Sequence, residues 1–335
     1  MIDWSMVLEW AIKSLLIILV MTGGFAYVTL YERKVLARLQ VRVGPNRTGP
    51  WGILQPVADG IKLIFKEELT PAYADKPIFI LAPVVTVVPA LVITAVVPWG
   101  TSINLFGREI PLYLANINVA VLFILSVTSI SVYGITLAGW SSNNKYAMLG
   151  GMRSTAQMIS YELALGLAYV GPIMLASSMS LMDIAESQRQ LPFVVLQPVA
   201  FIIYFLASLA EINRAPFDMP EAEQELTAGY HTEYSSMKFA MFFMAEYIKM
   251  IAISMIGATL FLGGFQGPYV DQLPLLGPLY LLIKVVAWLF VIIWIRATLP
   301  RIRYDRLMTL GWKVLFPVAL VNVVLTAVIL LAVGG

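Results

Sequence analysis

Long apolar stretches alternate with short polar segments along the whole chain. They cover residues 14–31, 77–98, 117–138, 155–177, 193–210, 239–262, 275–297 and 312–333. About 20 apolar residues in a helix cross a hydrocarbon core of about 30 Å, so each stretch can span a bilayer. The pattern predicts an all-α polytopic membrane protein with eight transmembrane helices, in which residues 1–335 form a single membrane domain.

The connection after the first stretch contains a second kind of pattern, over residues 53–66. Its apolar residues form one stripe, namely Ile53, Leu54, Val57, Ile61, Ile64 and Phe65. Its polar residues form the opposite stripe, namely Gln55, Asp59, Lys62 and Lys66. Such a segment is typical of an amphipathic helix lying in the membrane interface. It is either a plain surface anchor or part of a ligand site, and the pattern alone does not decide between them.

The basic residues are sorted by membrane side. The first, third, fifth and seventh connections, with the helix ends included, hold 17 of the 22 Lys and Arg residues, and the other connections hold two. Because basic loops stay in the cytoplasm, the odd connections are predicted to be cytoplasmic and both termini to lie outside. The first residues lack the basic segment of a cleaved signal, so we expect the first helix to be retained.

Composition limits the possible chemistry. Hydrophobic residues make up 59% of the chain and charged residues 13%, which excludes a soluble globular enzyme. There is no Cys and a single His, His231, so we expect no iron-sulfur cluster or metal to be bound by this chain. We expect no bound flavin. No glycine-rich nucleotide motif occurs either. Any redox centres are expected on partner proteins.

Four charged residues fall inside predicted spans and away from the span ends, namely Glu162, Glu246, Lys249 and Lys284. Charged groups at this depth are costly, so they are usually paired or line a polar path. Glu246 and Lys249 are three residues apart on one helix face, and a structural ion pair explains them as well as a functional role does. Glu162 has no partner close in sequence, which favours a proton relay.

The third cytoplasmic loop, residues 211–237, carries the densest acidic cluster, with five carboxylates in fifteen positions. One interpretation is a solvated acidic loop. The other is a packed loop that faces a partner, because Pro216 and Pro220 stiffen it and aromatic residues lie among its charges. Composition leaves both open. His231 is interpreted as a structural residue and is not assigned to a site.

Several motifs together identify a family. The segments 32–34, 42–47, 139–146, 211–225, 229–235 and 296–305 strongly resemble the H subunit of bacterial respiratory complex I, an NADH-quinone oxidoreductase, and its mitochondrial equivalent, NADH dehydrogenase subunit 1. The resemblance covers nearly the whole chain, in one order. It implies a subunit that joins the membrane arm to the peripheral arm and forms much of the quinone chamber, while NADH is oxidised elsewhere in the complex.

The resemblance also implies roles for particular residues. The quinone-binding residues would be Glu32, Arg33, Arg42, Asp59 and Lys62. The proton-coupling carboxylates would be Glu162, Glu211, Asp218, Glu221, Glu223 and Glu225. The implied substrate is a quinone, either ubiquinone or menaquinone. The implied partners are peripheral-arm subunits, including the one with the terminal iron-sulfur cluster, and small and antiporter-like membrane subunits, in a bacterial inner membrane.

Two other functions remain open at this level. One is a homologous subunit of an energy-converting complex with another electron donor, such as ferredoxin, or of a membrane-bound hydrogenase. The full match over residues 211–234 favours the quinone enzymes. The other is a free-standing ion or solute transporter, against which the lack of an internal repeat argues.

Overall fold

The computed structural model describes residues 4–105, 108–219 and 228–334, and this part is mainly helical. Its α-helices are α1 (Trp4–Leu39), α2 (Gln55–Ile64), α3 (Lys76–Val92), α4 (Ala120–Ser141), α5 (Lys145–Ala176), α6 (Leu181–Ser187), α7 (Phe193–Leu196), α8 (Pro198–Glu211), α9 (Ser236–Phe261), α10 (Leu276–Thr298), α11 (Tyr304–Leu310) and α12 (Phe316–Gly334). One π-helical turn, Gly311–Leu315, joins α11 to α12. Short 3₁₀ turns lie at Pro50–Gly52, Ile93–Val96 and Gly229–His231.

Seven helical segments in the described ranges are long and apolar enough to cross a membrane. They are Met6–Leu39, Lys76–Val96, Ala120–Ser141, Lys145–Ala176, Ser236–Phe261, Leu276–Thr298 and Tyr304–Ala332. In water such surfaces would be unstable, whereas in lipid they are solvated and the helix satisfies its own backbone hydrogen bonds. The chain is therefore a polytopic, predominantly α-helical membrane protein, as the hydrophobic pattern predicted.

The fifth predicted span, residues 193–210, differs from the prediction. The helix is interrupted at Gln197, which has φ −129° and ψ 54°, and resumes at Pro198. Proline cannot donate a backbone hydrogen bond and its ring hinders a helical conformation in the residue before it, which accounts for the break. The resulting α8 has 14 residues, or about 21 Å, which is shorter than the hydrocarbon core. The count of eight spans therefore stays a prediction.

The all-α prediction also missed a small sheet. Strands β1 (Ser102–Leu105) and β2 (Arg108–Pro111) pair antiparallel in the connection between α3 and α4, with Ile103 opposite Ile110. Strands of four residues carry too little alternation to be recognised beside 20-residue apolar stretches.

Helix α9 lies at the centre of the bundle and α1 at its edge. Every residue over 247–261 is buried, whereas α1 exposes Leu15, Leu16 and Leu19. Close packing around α9 depends on Gly257, where a Cβ atom would lie 2.6 Å from Tyr204 Cε1. Lys249, which lies in this buried part of α9, is therefore far from solvent, and its partner must come from a neighbouring segment.

Helix α2 covers residues 55–64 of the predicted 53–66 and has no buried residue. Its apolar side chains, including Val57, Ile61 and Ile64, are exposed. This exposure is consistent with a helix whose apolar stripe faces lipid, although its position in the membrane interface stays a prediction.

Candidate functional site

A cavity of about 410 Å³ lies between α1, α2 and the first turns of α9. Its polar side is formed by Arg33 from α1 and by Asp59 and Lys62 from α2. Its remaining wall is mostly apolar and includes Phe25, Ala26, Leu63, Ile64, Phe239, Phe243 and Met244. A cavity with a few polar groups at one side and an apolar remainder suits a ligand with a polar head and a hydrophobic tail.

Asp59 organises the polar side of this cavity. Its Oδ2 lies 2.7 Å from Arg33 Nη1, and its Oδ1 accepts a hydrogen bond of 3.0 Å from Gln55 Nε2. Lys62 Nζ is 4.0 Å from the same carboxylate. The Asp59 side chain is 24% exposed, against 50% for Arg33 and 70% for Lys62. The carboxylate is thus held in place, and both cations keep donors available for a bound group.

Glu32, the residue before Arg33, is buried on another side of α1. Its carboxylate is 3% exposed and accepts hydrogen bonds from Arg214 Nη1 at 3.1 Å and Tyr247 Oη at 2.7 Å. Arg296 Nη1 also pairs with it. A buried carboxylate is stable only with such partners, so Glu32 ties α1 to α9, to α10 and to the segment after α8.

Arg214 extends this cluster further into the bundle. Its Nε pairs with Glu246, and its guanidinium lies over the Tyr247 ring, 4.5 Å from the centroid. Asp218 is an electrostatic neighbour of Glu246. The structure therefore corrects one interpretation of the sequence, because the partner of Glu246 is Arg214 and not the nearby Lys249.

Lys249 instead pairs with Glu211 at the end of α8, with 2.9 Å between Nζ and Oε1. A cavity of about 30 Å³ separates this pair from Glu246 and is lined by all three residues. That volume is large enough for about one or two water molecules, and its lining includes polar side chains that can bind water. Glu211 is in turn an electrostatic neighbour of Glu162, which contacts the Ser129 hydroxyl of α4. Charged groups that are buried or half-buried thus extend from Glu32 to Glu162.

The predicted site residues are distributed over these places. Arg33, Asp59 and Lys62 share one cavity, and Glu32 lies behind it. Arg42 is exposed and lies outside the residues that line the cavity. Glu162, Glu211 and Asp218 lie along the buried charges. Glu221, Glu223 and Glu225 fall outside the described residues.

Sequence reasoning missed three members of the buried cluster, namely Arg214, Tyr247 and Arg296. Arg296 is one of the basic residues counted in the seventh connection, yet it forms an ion pair with the buried Glu32. Arg214 is surrounded in the sequence by carboxylates. A single cation in such an acidic segment could have been recognised as the counter-ion of a buried carboxylate. Tyr247 resembles any aromatic residue of an apolar helix, and nothing in the sequence distinguished it.

The sequence model of the family described as NADH dehydrogenase matches residues 12–327. The chain belongs to this family. Relatives named as the H subunit of NADH-quinone oxidoreductase align over nearly the full length. The protein from Thermomicrobium roseum is 51% identical over 98% of this chain and 97% of its own. An H subunit of Syntrophobacter fumaroxidans is 50% identical over 100% of both chains. An H subunit of Geobacter sulfurreducens is 52% identical over 95% of this chain and 93% of its own.

Membership of the NADH dehydrogenase family confirms the resemblance that the motifs indicated. The matched region includes both the cavity at α1 and α2 and the buried charges from Glu32 to Glu162. Both the cavity and the charged groups therefore lie in the part of the chain that matches the family, and their functions can be considered together.

Proposed function

We propose that this chain is the membrane subunit of a proton-pumping NADH-quinone oxidoreductase that forms the quinone chamber with peripheral-arm subunits. In this role the chain is one membrane domain of a multi-pass protein in the bacterial inner membrane, with both termini outside. Full-length relatives named as the H subunit of that enzyme support the assignment. The partners would be the peripheral-arm subunit with the terminal iron-sulfur cluster and the small and antiporter-like membrane subunits.

The observation that carries the quinone assignment is the cavity lined by Arg33, Asp59 and Lys62. A quinone head group offers carbonyl oxygens, which accept hydrogen bonds from guanidinium and ammonium donors. Its isoprenoid tail needs an apolar path, which Phe25, Phe243 and their neighbours supply. Arg42, which is exposed, would act at a surface that a peripheral subunit covers.

The proton-coupling part of the proposal rests on the buried charges behind the cavity. Reduction of a quinone to a quinol takes up two electrons and two protons. Loss of those protons from groups near the chamber would change the charge balance at Glu32 and Arg214, which share hydrogen bonds with Tyr247 and Glu246. Groups that interact this closely titrate together, so the change would reach Glu211 and Glu162 through Lys249 and the small cavity. Glu221, Glu223 and Glu225 are proposed to act in the same route.

Replacement of Asp59 by Asn tests the quinone site directly. The variant keeps the side-chain shape but removes the charge that holds Arg33 and Lys62. We expect quinone reduction in native membranes to fall by roughly tenfold or more, because hydrogen bonds to charged groups contribute about 1.5–3 kcal/mol each. Electron transfer from NADH to ferricyanide should persist, and a native gel should show assembled complex.

Asp75→Asn is the matched control, since Asp75 is an exposed aspartate on the same connection and lies outside the cavity. It should leave quinone reduction unchanged. Assembled Asp59→Asn complex with normal quinone reduction would remove Asp59 from the site and leave α2 as a surface anchor.

A further inference from the structure

Ser129 on α4 contacts the Glu162 carboxylate on α5, near the middle of both helices. Its hydroxyl donates to Glu162 Oε1 and also lies 2.8 Å from the backbone carbonyl of Leu125 on its own helix. A serine hydroxyl has one proton and two lone pairs, so it cannot donate to both acceptors at once. At any one time the Ser129 hydroxyl therefore donates its hydrogen bond either to Glu162 or to the Leu125 carbonyl.

Which of these two acceptors Ser129 bonds depends on the protonation state of Glu162. An ionised carboxylate only accepts hydrogen bonds, so Ser129 donates to it. A protonated carboxyl has an O–H of its own, which can donate to the Ser129 oxygen while the Ser129 proton turns to the Leu125 carbonyl. Thr128 Oγ1 lies 2.9 Å from that carbonyl and 3.0 Å from the carbonyl of Ile124, so Leu125 has a second side-chain donor within reach when Ser129 turns away.

Within the described part of the chain, Ser129 is the hydrogen-bond partner of Glu162. The Glu162 carboxylate also acts by its charge on Glu211, across the helix packing, and on Tyr169 of α5. Neither contacts Ser129. Inside a membrane a half-buried carboxyl has little water to hydrogen-bond with. A side chain that can hydrogen-bond both its protonated and its ionised form therefore stabilises it in either state.

We propose that Ser129 is a positioning residue that satisfies Glu162 in both protonation states, so that this carboxyl can gain and lose a proton while the contact between α4 and α5 is kept. The proposal rests on the proposed function, in which Glu162 is a proton-coupling carboxylate. Ser129 itself needs no net proton transfer, because its hydroxyl only rotates. The atoms that exchange the proton are the Glu162 oxygens.

The first test compares Ser129→Ala with Ser129→Thr in the assembled complex. The alanine variant should lower protons pumped per electron by roughly tenfold or more, as expected for loss of one hydrogen bond to an ionised carboxylate. The threonine variant keeps a hydroxyl that can also bond the i−4 carbonyl, and should return the ratio to within about twofold of wild type. Ser129→Ala should have no further effect in a Glu162→Gln background.

Ser126→Ala is the matched control. Ser126 lies one turn earlier on α4, and its hydroxyl also bonds an i−4 carbonyl, that of Leu122 at 2.9 Å, but it is exposed. The substitution removes the same atoms from the same helix. We expect wild-type pumping, and an equal loss in this control and in Ser129→Ala would overturn the proposal.

Infrared difference spectra of the reduced against the oxidised complex measure the frequency of the Glu162 carboxyl band. A purely structural role of Ser129 would leave that frequency unchanged. The band lost in Glu162→Gln belongs to the Glu162 carboxyl. It should shift to higher frequency in Ser129→Ala, because the carboxyl O–H loses its acceptor, and return in Ser129→Thr. An unshifted band, or no band that depends on Glu162, would overturn the role of Ser129. Normal pumping in Glu162→Gln would instead overturn the proposed function of that carboxylate.

Discussion

The Lys249 ammonium group on α9 lies 2.9 Å from Glu211 Oε1 on α8, and both side chains are more than nine-tenths buried. Removing two charges from water is costly, and their attraction compensates only when the geometry is good and further polar neighbours are present. Here the small cavity shared with Glu246 offers such neighbours. The pair is therefore either a costly structural contact or a site where a proton can move, and substitutions can separate the two.

Single and double substitutions of this pair should have opposite effects on assembly. Lys249→Met leaves the Glu211 carboxylate buried without its cation, a change that typically costs about 3–5 kcal/mol, so the amount of assembled complex should fall. Adding Glu211→Gln removes the uncompensated charge and should restore assembly on a native gel. Pumping per electron should stay low in the double variant, because neither group can carry a proton.

Exposed Glu186 provides the control for the double variant, since Glu186→Gln removes a carboxylate without touching the pair. It should leave both assembly and pumping unchanged. If the double variant pumps normally, the pair is a structural contact and the proton route does not pass through it.

Lys284 on α10 should stabilise the turn that follows α9. Its ammonium group donates to the carbonyl oxygens of Leu262, Gly264 and Gln266 at 2.7, 2.7 and 2.8 Å, which uses all three of its donors. Lys284→Met should leave these carbonyls without their donor and make the turn roughly tenfold more sensitive to added protease. Quinone reduction per assembled complex should not change. Lys313→Met, at an exposed lysine, should show neither effect.

His231 should make the protein less stable in mild acid. Its ring packs edge-on against Tyr230 and Phe239, and burial lowers its pKa to about 4, from an ordinary value of 6.5. The unfolded chain therefore binds a proton at a higher pH than the folded chain does. The stabilisation is complete above about pH 6.5 and decreases as the pH falls from there toward 4.

The variant His231→Gln cannot take up that proton. Relative to wild type, its inactivation at pH 5 should slow by roughly two- to fivefold, while the rates at pH 7.5 should be similar. Residual NADH-to-quinone activity after timed incubation measures this. His231 is the only histidine of the chain, so an unaltered acid sensitivity would show that histidine protonation in this chain is not its cause.

The helical membrane fold could be predicted from the sequence because the length and apolar composition of each stretch are enough to indicate a membrane-spanning helix. The interruption at Gln197 was not predicted, since Pro198 looks the same whether it begins a helix or breaks one. Asp59 and Lys62 could be placed on one face of α2 by their spacing, whereas Arg33 joined them only through the family resemblance. The pairing of Glu246 with Arg214 depends on how α9 packs against the segment after α8, and no local pattern encodes it.

Glu32 and Arg33 are consecutive residues of α1, yet one contacts the buried cluster and the other the cavity. Consecutive side chains of a helix point about 100° apart around its axis, so the two sites are joined by a single peptide unit. A small twist of α1 would displace the guanidinium and the carboxylate in the same movement. A change that reoriented one of these side chains through the backbone of α1 would therefore also act on the other.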